Sequence, residues 1–255
     1  MTTCWKWAAV ALGIFALASD GSAQPPVNHI SLADTAYKER RAQDALEHLL
    51  RAIASEPANY EALWKASRSE VDLAERAAKS PAMDALLGSA QRNAEAAIRA
   101  QPDDAEGHFA LARVLGRRAL SVGSRERIRF SKIIRTEALD ALKINSTHAG
   151  ALHVLGMWNA EVMRVNGLAR TVARAFLGAD VFQLASWDEA QRLLEASVQQ
   201  DPTRIVHRLD LAGIYADRGD KKRARELYLW IASAPLIDPN DDLYKRQAAE
   251  RLKEL

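Results

Sequence analysis

Small and apolar residues recur along this chain in sets that share one spacing. Counted back from Pro202, Ala190, Leu194 and Ser197 stand twelve, eight and five positions before it. The same template gives Ala45, Leu49 and Ala52 from Pro57, Ala90, Ala94 and Ala97 from Pro102, and Ile134, Ala138 and Ala141 from Ser146. Residues three and four apart share a helical face, so each set predicts an amphipathic helix that ends at a polar break. After each break a second helical pattern begins: "YEALWKAS", "AEGHFALARVLG", "AGALHVLGMW" and "IVHRLDLAGIYADRGDKKRARELY". The chain therefore reads as alternating A and B helices.

In the last of these stretches Leu211, Ala212, Tyr215, Gly219 and Ala224 have tetratricopeptide spacing. Small residues stand where two antiparallel helices touch, and a glycine permits the tight turn between them. A regular unit has about 34 residues. Here the breaks lie 45, 44 and 56 residues apart. The surplus falls between A and B helices, in "AERAAKSPAMDALLG", "SVGSRERIRFSK" and "VNGLARTVARAFLGADVFQLA". Ser80-Pro81 reads as an N-cap and first-turn pair, and Ser186 with Glu189 as a capping box. The final "PNDDLYKRQAAERLKEL" predicts a capping helix started by Asn240 or Asp241, with Leu243, Ala248, Leu252 and Leu255 inward. The fold class is all-α: an α-solenoid of about five tetratricopeptide-like hairpins with long inserted helices and a C-terminal capping helix.

Composition agrees, since glycine (12) and proline (8) are sparse in 255 residues of which 48% are hydrophobic. The first residues differ in kind. Lys6, the apolar run from Trp7 to Ala18, and Gly21 and Ala23 before Gln24 have the layout of a secretory signal peptide. The expected division is residues 1–23 as signal peptide and 24–255 as repeat domain. Such a chain is exported to a periplasm; the alternative is a membrane anchor from an uncleaved N-terminal segment. Cys4 is the sole cysteine and precedes the cut, so the mature chain has neither disulfide nor thiolate site.

The segments "LHVLGMWNAEV", "LARTVARAFLG", "ASWDEAQRLLEASVQQDP" and "SRERIRFSKIIRTEALDALKIN" resemble the regulator of microtubule dynamics family, a group of irregular tetratricopeptide-like proteins. The resemblance spans Ser31 to Ala232. Its most specific part is Leu155-Gly156-x-Trp158, then Ala173, Phe176 and Gly178, then Ser186 and Glu189-Ala190. It implies the repeat fold, with Trp158 and Phe176 as core residues seating the segment from Gly167 to Ala185. Animal members are linked to microtubules and to contacts between endoplasmic reticulum and mitochondria, and lipid binding occurs in related repeat domains. For an exported, bacterial-type member the fold is expected to carry over and the microtubule role is not.

Catalytic motifs are missing: the sequence has no Gly-x-Gly-x-x-Gly, no phosphate loop and no Gly-x-Ser-x-Gly. A non-enzymatic protein without cofactor or metal is expected. His148 and His153 are five apart, the wrong spacing for a helical metal pair. "DPNDD" lacks the glycine and glutamate of a calcium loop and reads as a turn with a helix start. The net charge of +2 gives no reason to expect nucleic acid. One basic run, Arg117, Arg118, Arg125, Arg127, Arg129, Lys132 and Arg135, reads either as a solvated face or as a contact for an acidic surface.

In a stacked hairpin array the A helices line the concave side. Their register gives one row of Ile30, Trp64, Phe109, His153 and Leu209. Beside it run Asp34, Arg68, Arg113, Met157 and Gly213, and then Lys38, Asp72, Arg117, Glu161 and Asp217. The candidate groove is Trp64, Arg68, Phe109, Arg113, Arg117, His153, Met157 and Leu209: apolar, edged by guanidinium groups. It suits a protein or peptide partner on the concave face, or an anionic amphiphile such as a phospholipid or fatty acid. The same aromatic residues would also suit packing beneath the inserted helices, folded over the groove as a lid. Oligomeric state is not legible.

Overall fold

Polar side chains fix where the helices start. Asn28, Asn59, Ser80, Asp104, His148 and Ser186 each accept a hydrogen bond from a first-turn backbone N–H of the helix that follows. These amides have no partner inside their own helix. The structure is a computed structural model and describes Met1, residues 27–177 and residues 179–255. Residues 2–23, read as an export segment, and Gly178 of the family motif lie outside the described residues, as does the Phe176 side chain.

Five hairpins follow one another. They are α1 (His29–Lys38) with α2 (Ala42–Ser55), α3 (Tyr60–Arg76) with α4 (Pro81–Ala100), and α5 (Ala105–Ala119) with α6 (Ser124–Ile144). Next come α7 (Ala149–Arg164) with α9 (Trp187–Gln200), and α10 (Ile205–Asp217) with α11 (Lys221–Ser233). Between α7 and α9 lie α8 (Gly167–Leu177) and a 3-10 segment, Asp180–Leu184; α12 (Asp241–Lys253) ends the chain. No strand occurs among the described residues, and no helix there is long and apolar enough to cross a membrane. The A helices α3, α5, α7 and α10 pack on one another in sequence and form the concave wall.

The small-residue stripes are the inner faces of the B helices. Ala45, Leu49, Ala90, Ala94, Ala97, Ala138, Ala141, Ala190, Leu194 and Ser197 are fully buried, and Ala52 and Ile134 nearly so. Small residues let helix axes approach until backbone meets side chain. A Cβ at Gly156 would lie 2.9 Å from Leu194 Cγ and 3.3 Å from the Ala190 carbonyl oxygen, so α7 and α9 meet where only glycine fits. The tight turn of the last hairpin uses Gly219 at φ +83, and the first hairpin puts Arg40 at φ 63 in the corresponding place. Left-handed backbone is strained for arginine and free for glycine.

Trp158 is buried, and its indole Nε1 donates to Ser131 Oγ at 2.7 Å and to the Ser131 carbonyl at 2.9 Å. One residue on, Asn159 Oδ1 accepts from the Ser186 amide at 3.2 Å and fixes the start of α9. Ser186 supplies half of the expected capping box: its Oγ caps the Glu189 amide, but the Glu189 carboxylate turns to Arg192.

The inserted segments border the groove at a few points, through Arg127 and Ser131 of α6 and Phe182 of the 3-10 segment. Ala173 of α8 packs with Ile128 of α6, Ala179 and Phe182. Phe182 of the 3-10 segment also packs against the cluster of Phe130, Ile134 and Trp158. The cover comes from the chain's end. Segment 237–244 reaches back to α3, where Asn240 Nδ2 donates to the Asp72 carbonyl (3.0 Å) and to Glu75 Oε2 (3.1 Å). Tyr244 donates to Glu75, and Arg76 binds Asp242 with both terminal nitrogens and the Pro239 carbonyl with one. Asn240 is thus buried as a tie and caps no amide. Asp241 instead turns the approach, its Oδ2 accepting from the Ile237 and Asp238 amides at 2.7 Å. Within α12 Asp241, Tyr244 and Ala248 are buried and Leu252, with Leu255 beyond the helix, packs on the same cluster as expected, while Leu243 turns to the concave side.

Candidate ligand cavity

Two neighbouring chambers lie on the A-helix wall, the larger of them bordered by this strap. The larger encloses about 690 Å³, well within the range of about 300–1,000 Å³ of ligand pockets. Its apolar lining includes Phe109, Val154, Met157, Phe182, Leu209 and Leu243. Gly116, Leu120 and Val165 place its mouth at the edge where A helices end. The smaller, about 420 Å³, is lined by Trp64, Arg68 and Phe109 and reaches the opposite edge, at Asn145, Thr147 and Gln200. Phe109, Arg113, Arg204 and His207 belong to both linings. These four side chains stand between the two chambers.

Trp64, Arg68, Phe109 and Arg113 line the smaller chamber; Phe109, Arg113, Arg117, His153, Met157 and Leu209 line the larger. The expected set is thus divided between two chambers that share Phe109 and Arg113. Ile30, from the same predicted row, is not part of it and packs in the first hairpin's own cluster.

The guanidinium groups are not a free positive edge. Arg113 pairs with Asp72 at 2.6 Å and lies 3.9 Å from Glu75, which also sits 3.6 Å from Arg117 Nε. Burial works against the Arg113 charge, yet the Asp72 and Glu75 carboxylates outweigh it and hold the group above the ordinary arginine range. Arg68 differs. Its guanidinium lies 3.5 Å over the Tyr37 ring and 5.4 Å from that of Trp64, and it forms no ion pair among the described residues. A cation held by ring faces keeps its charge available to an incoming anion.

Sequence reasoning missed Arg204, His148 and His207. Arg204 pairs with Asp238 of the strap at 3.1 Å. His148 packs its ring 4.8 Å from Phe109, and its Nδ1 caps the Ala151 amide at 3.0 Å. His207 stacks on His153 at 4.7 Å, and His153 Nε2 bonds to Asp210 at 2.8 Å. Burial, then the neighbouring His153 and Arg204, push His207 well below the usual histidine range, so it is neutral at pH 7. Ser67 Oγ, Arg68 Nε and His207 Nδ1, all on residues lining the smaller chamber, are buried without a hydrogen-bond partner, and His148 Nε2 lies 3.4 Å from the Glu106 carboxylate. Both linings mix polar and apolar residues, and the larger chamber has the greater share of apolar surface.

Among the described residues His108, Glu137 and Asp140 form one group with metal-ligand atoms within 4.8 Å of one another. Both ring nitrogens of His108 are already engaged, Nδ1 with Glu137 at 2.7 Å and Nε2 with the Pro102 carbonyl at 3.0 Å. The group ties α5 to α6.

With this geometry in hand, known proteins agree on the architecture. The pattern of the family described as Regulator of microtubule dynamics protein 1-3 matches residues 29–255. Regulator of microtubule dynamics protein 3 of Rattus norvegicus is 20% identical over 212 residues, covering 83% of this chain and 45% of the relative. The chain thus spans a little under half the length of that protein. The crystal structure of a thermophilic TPR protein of Thermus thermophilus superposes with a TM-score of 0.65 at 19% identity, covering 89% of this chain and 98% of the other. That likeness is one of fold.

Proposed function

The chain belongs to the regulator of microtubule dynamics protein 1-3 family, and from that premise we propose that it is a non-enzymatic binding protein for an anionic amphiphile held within its own solenoid. The observation that carries this reading is the larger chamber. Most of its lining surface is apolar although charged residues such as Glu75, Arg117 and Asp210 also border it, the strap forms part of its wall, and Arg68 lines the neighbouring smaller chamber. Apolar surface taken from water supplies about 25 cal/mol per Å², and a buried guanidinium favours a carboxylate or phosphate over a neutral group. A fatty acid or phospholipid has both parts. Export to a periplasm, with cleavage before Gln24, belongs to the same proposal; N-terminal sequencing of protein recovered from cells reads it directly.

A protein or peptide partner on the concave face is the second reading, and the repeat architecture with the more polar smaller chamber favours it. Against it, the strap from Ile237 to Tyr244 occupies part of the concave side where an extended segment would lie.

Displacement of a fluorescent fatty acid tests the leading reading. Met157 lines the larger chamber, so Met157→Trp fills volume there and should weaken binding at least about tenfold, the loss expected when packing costs about 1.4 kcal/mol. Unchanged affinity in a folded variant counts against ligand in that chamber.

A further inference from the structure

The basic run on α6 and the exposed apolar residues beside the larger chamber's mouth lie on one edge of the solenoid. Leu120 and Val165 are the C-caps of the neighbouring helices α5 and α7, both line that mouth, and they are 61% and 36% exposed. Leu168, in the first turn of α8, is 78% exposed, and Leu184, which ends the 3-10 segment, 54%. Scattered exposed leucines need no explanation, but Leu120 and Val165 stand together at the cavity mouth, and Leu168 follows Val165 by three residues.

Charge surrounds this group. Ile128 of α6 packs against Ala173 of α8, which sets α8 beside the N-terminal half of α6. Arg125, Arg127, Arg129 and Lys132 on that half are exposed. Glu126 is taken up by Arg129; Arg125, Arg127 and Lys132 form no ion pair among the described residues, and neither does Arg170 of α8. Arg127 also donates to the Ala119 and Val122 carbonyls, which holds its charge next to Leu120. Of the acidic groups in these segments, Glu161 pairs with Arg164, and Asp180 is exposed.

We propose that this edge, Leu120, Val165, Leu168 and Leu184 with Arg125, Arg127 and Lys132, is a docking surface for an anionic lipid bilayer. Apolar side chains enter the boundary between headgroups and acyl chains while guanidinium and ammonium groups meet lipid phosphates, a pairing of two weak signals that gives reversible attachment. The mouth of the larger chamber then faces the bilayer. The proposal rests on the amphiphile reading for its purpose, and its test stands apart.

Co-sedimentation of the full chain with phosphatidylcholine vesicles, with and without phosphatidylglycerol, reads the surface. Binding is expected on the anionic vesicles, to fall as salt rises, and to drop at least about tenfold in Arg125→Glu/Lys132→Glu and in Leu168→Glu/Leu184→Glu. Displacement of a soluble fluorescent fatty acid, measured without vesicles, should be unchanged in both variants. Equal binding to neutral and anionic vesicles, or variants that sediment like the parent, overturns the docking surface. So does a parent that takes the soluble ligand but ignores vesicles, and that result leaves the cavity reading standing. Failure to take the soluble ligand overturns the cavity reading alone.

Discussion

Asn240→Ala loosens the strap without touching the A-helix wall. In the parent, Asn240 is buried and its Nδ2 donates to one backbone carbonyl, Asp72 O, and to one carboxylate, Glu75. A hydrogen bond to a neutral acceptor contributes about 0.5–1.5 kcal/mol and one to a charged acceptor about 1.5–3. The Asn240 Oδ1 has no partner, so removing it returns some of its burial cost. The closed strap should lose about 2–3 kcal/mol, which multiplies the open population roughly 30- to 150-fold. Hydrogen exchange resolved by peptide measures this. Faster exchange is expected in 237–244 and at the C-terminal end of α3, with α2, in the first hairpin, unchanged. A uniform rise across the chain, or no rise at the strap, would refute the reasoning that these bonds hold a local closure.

Further outcomes follow from single positions. A Cβ on Gly150 would lie 2.5 Å from Phe109 Cζ and 2.6 Å from Cε2, so Gly150→Ala must push the ring back by about 1 Å. Overpacking costs about 1–3 kcal/mol and alanine in a helix returns about 1, for a net loss of about 0–2 kcal/mol in denaturant unfolding. The clash vanishes on a Phe109→Ala background, and a double-mutant cycle without coupling contradicts the contact. Burial opposes the His108 charge, but Glu137 and the Pro102 carbonyl outweigh it and raise the pKa above the usual histidine value. Its stabilisation is then full below about pH 6.5 and fades as pH rises through the folded value. The Tm difference between parent and His108→Gln should accordingly shrink from pH 6 to pH 9; a constant difference excludes the linkage.

The hairpins were legible because their signal is local. Each B-helix stripe of small residues lies within three turns of helix, and the burial of Ala45, Ala90, Ala138 and Ala190 follows from that spacing alone. The concave row needed one more step, a shared register between A helices, and this brought Phe109, His153 and Leu209 to one chamber. The strap left no such trace. Asn240 and Asp72 are 168 residues apart, and Tyr244 and Glu75 169, so no periodicity links them. For the same reason the sequence displayed Arg113 and Arg117 as an open positive edge, although Asp72 and Glu75 from the adjacent helix face them. The long insertions drew attention as a lid by their length, but Ile128 and Phe130 of α6 offer them a nearer apolar seat.

Native mass spectrometry of the protein isolated from its own cells bears most directly on the enclosed amphiphile. The account predicts an added mass that survives gentle ionisation, is lost after extraction with organic solvent, and proves to be an acid with a long apolar chain. A protein that flies empty, or an adduct that a protease removes and solvent does not, would contradict it.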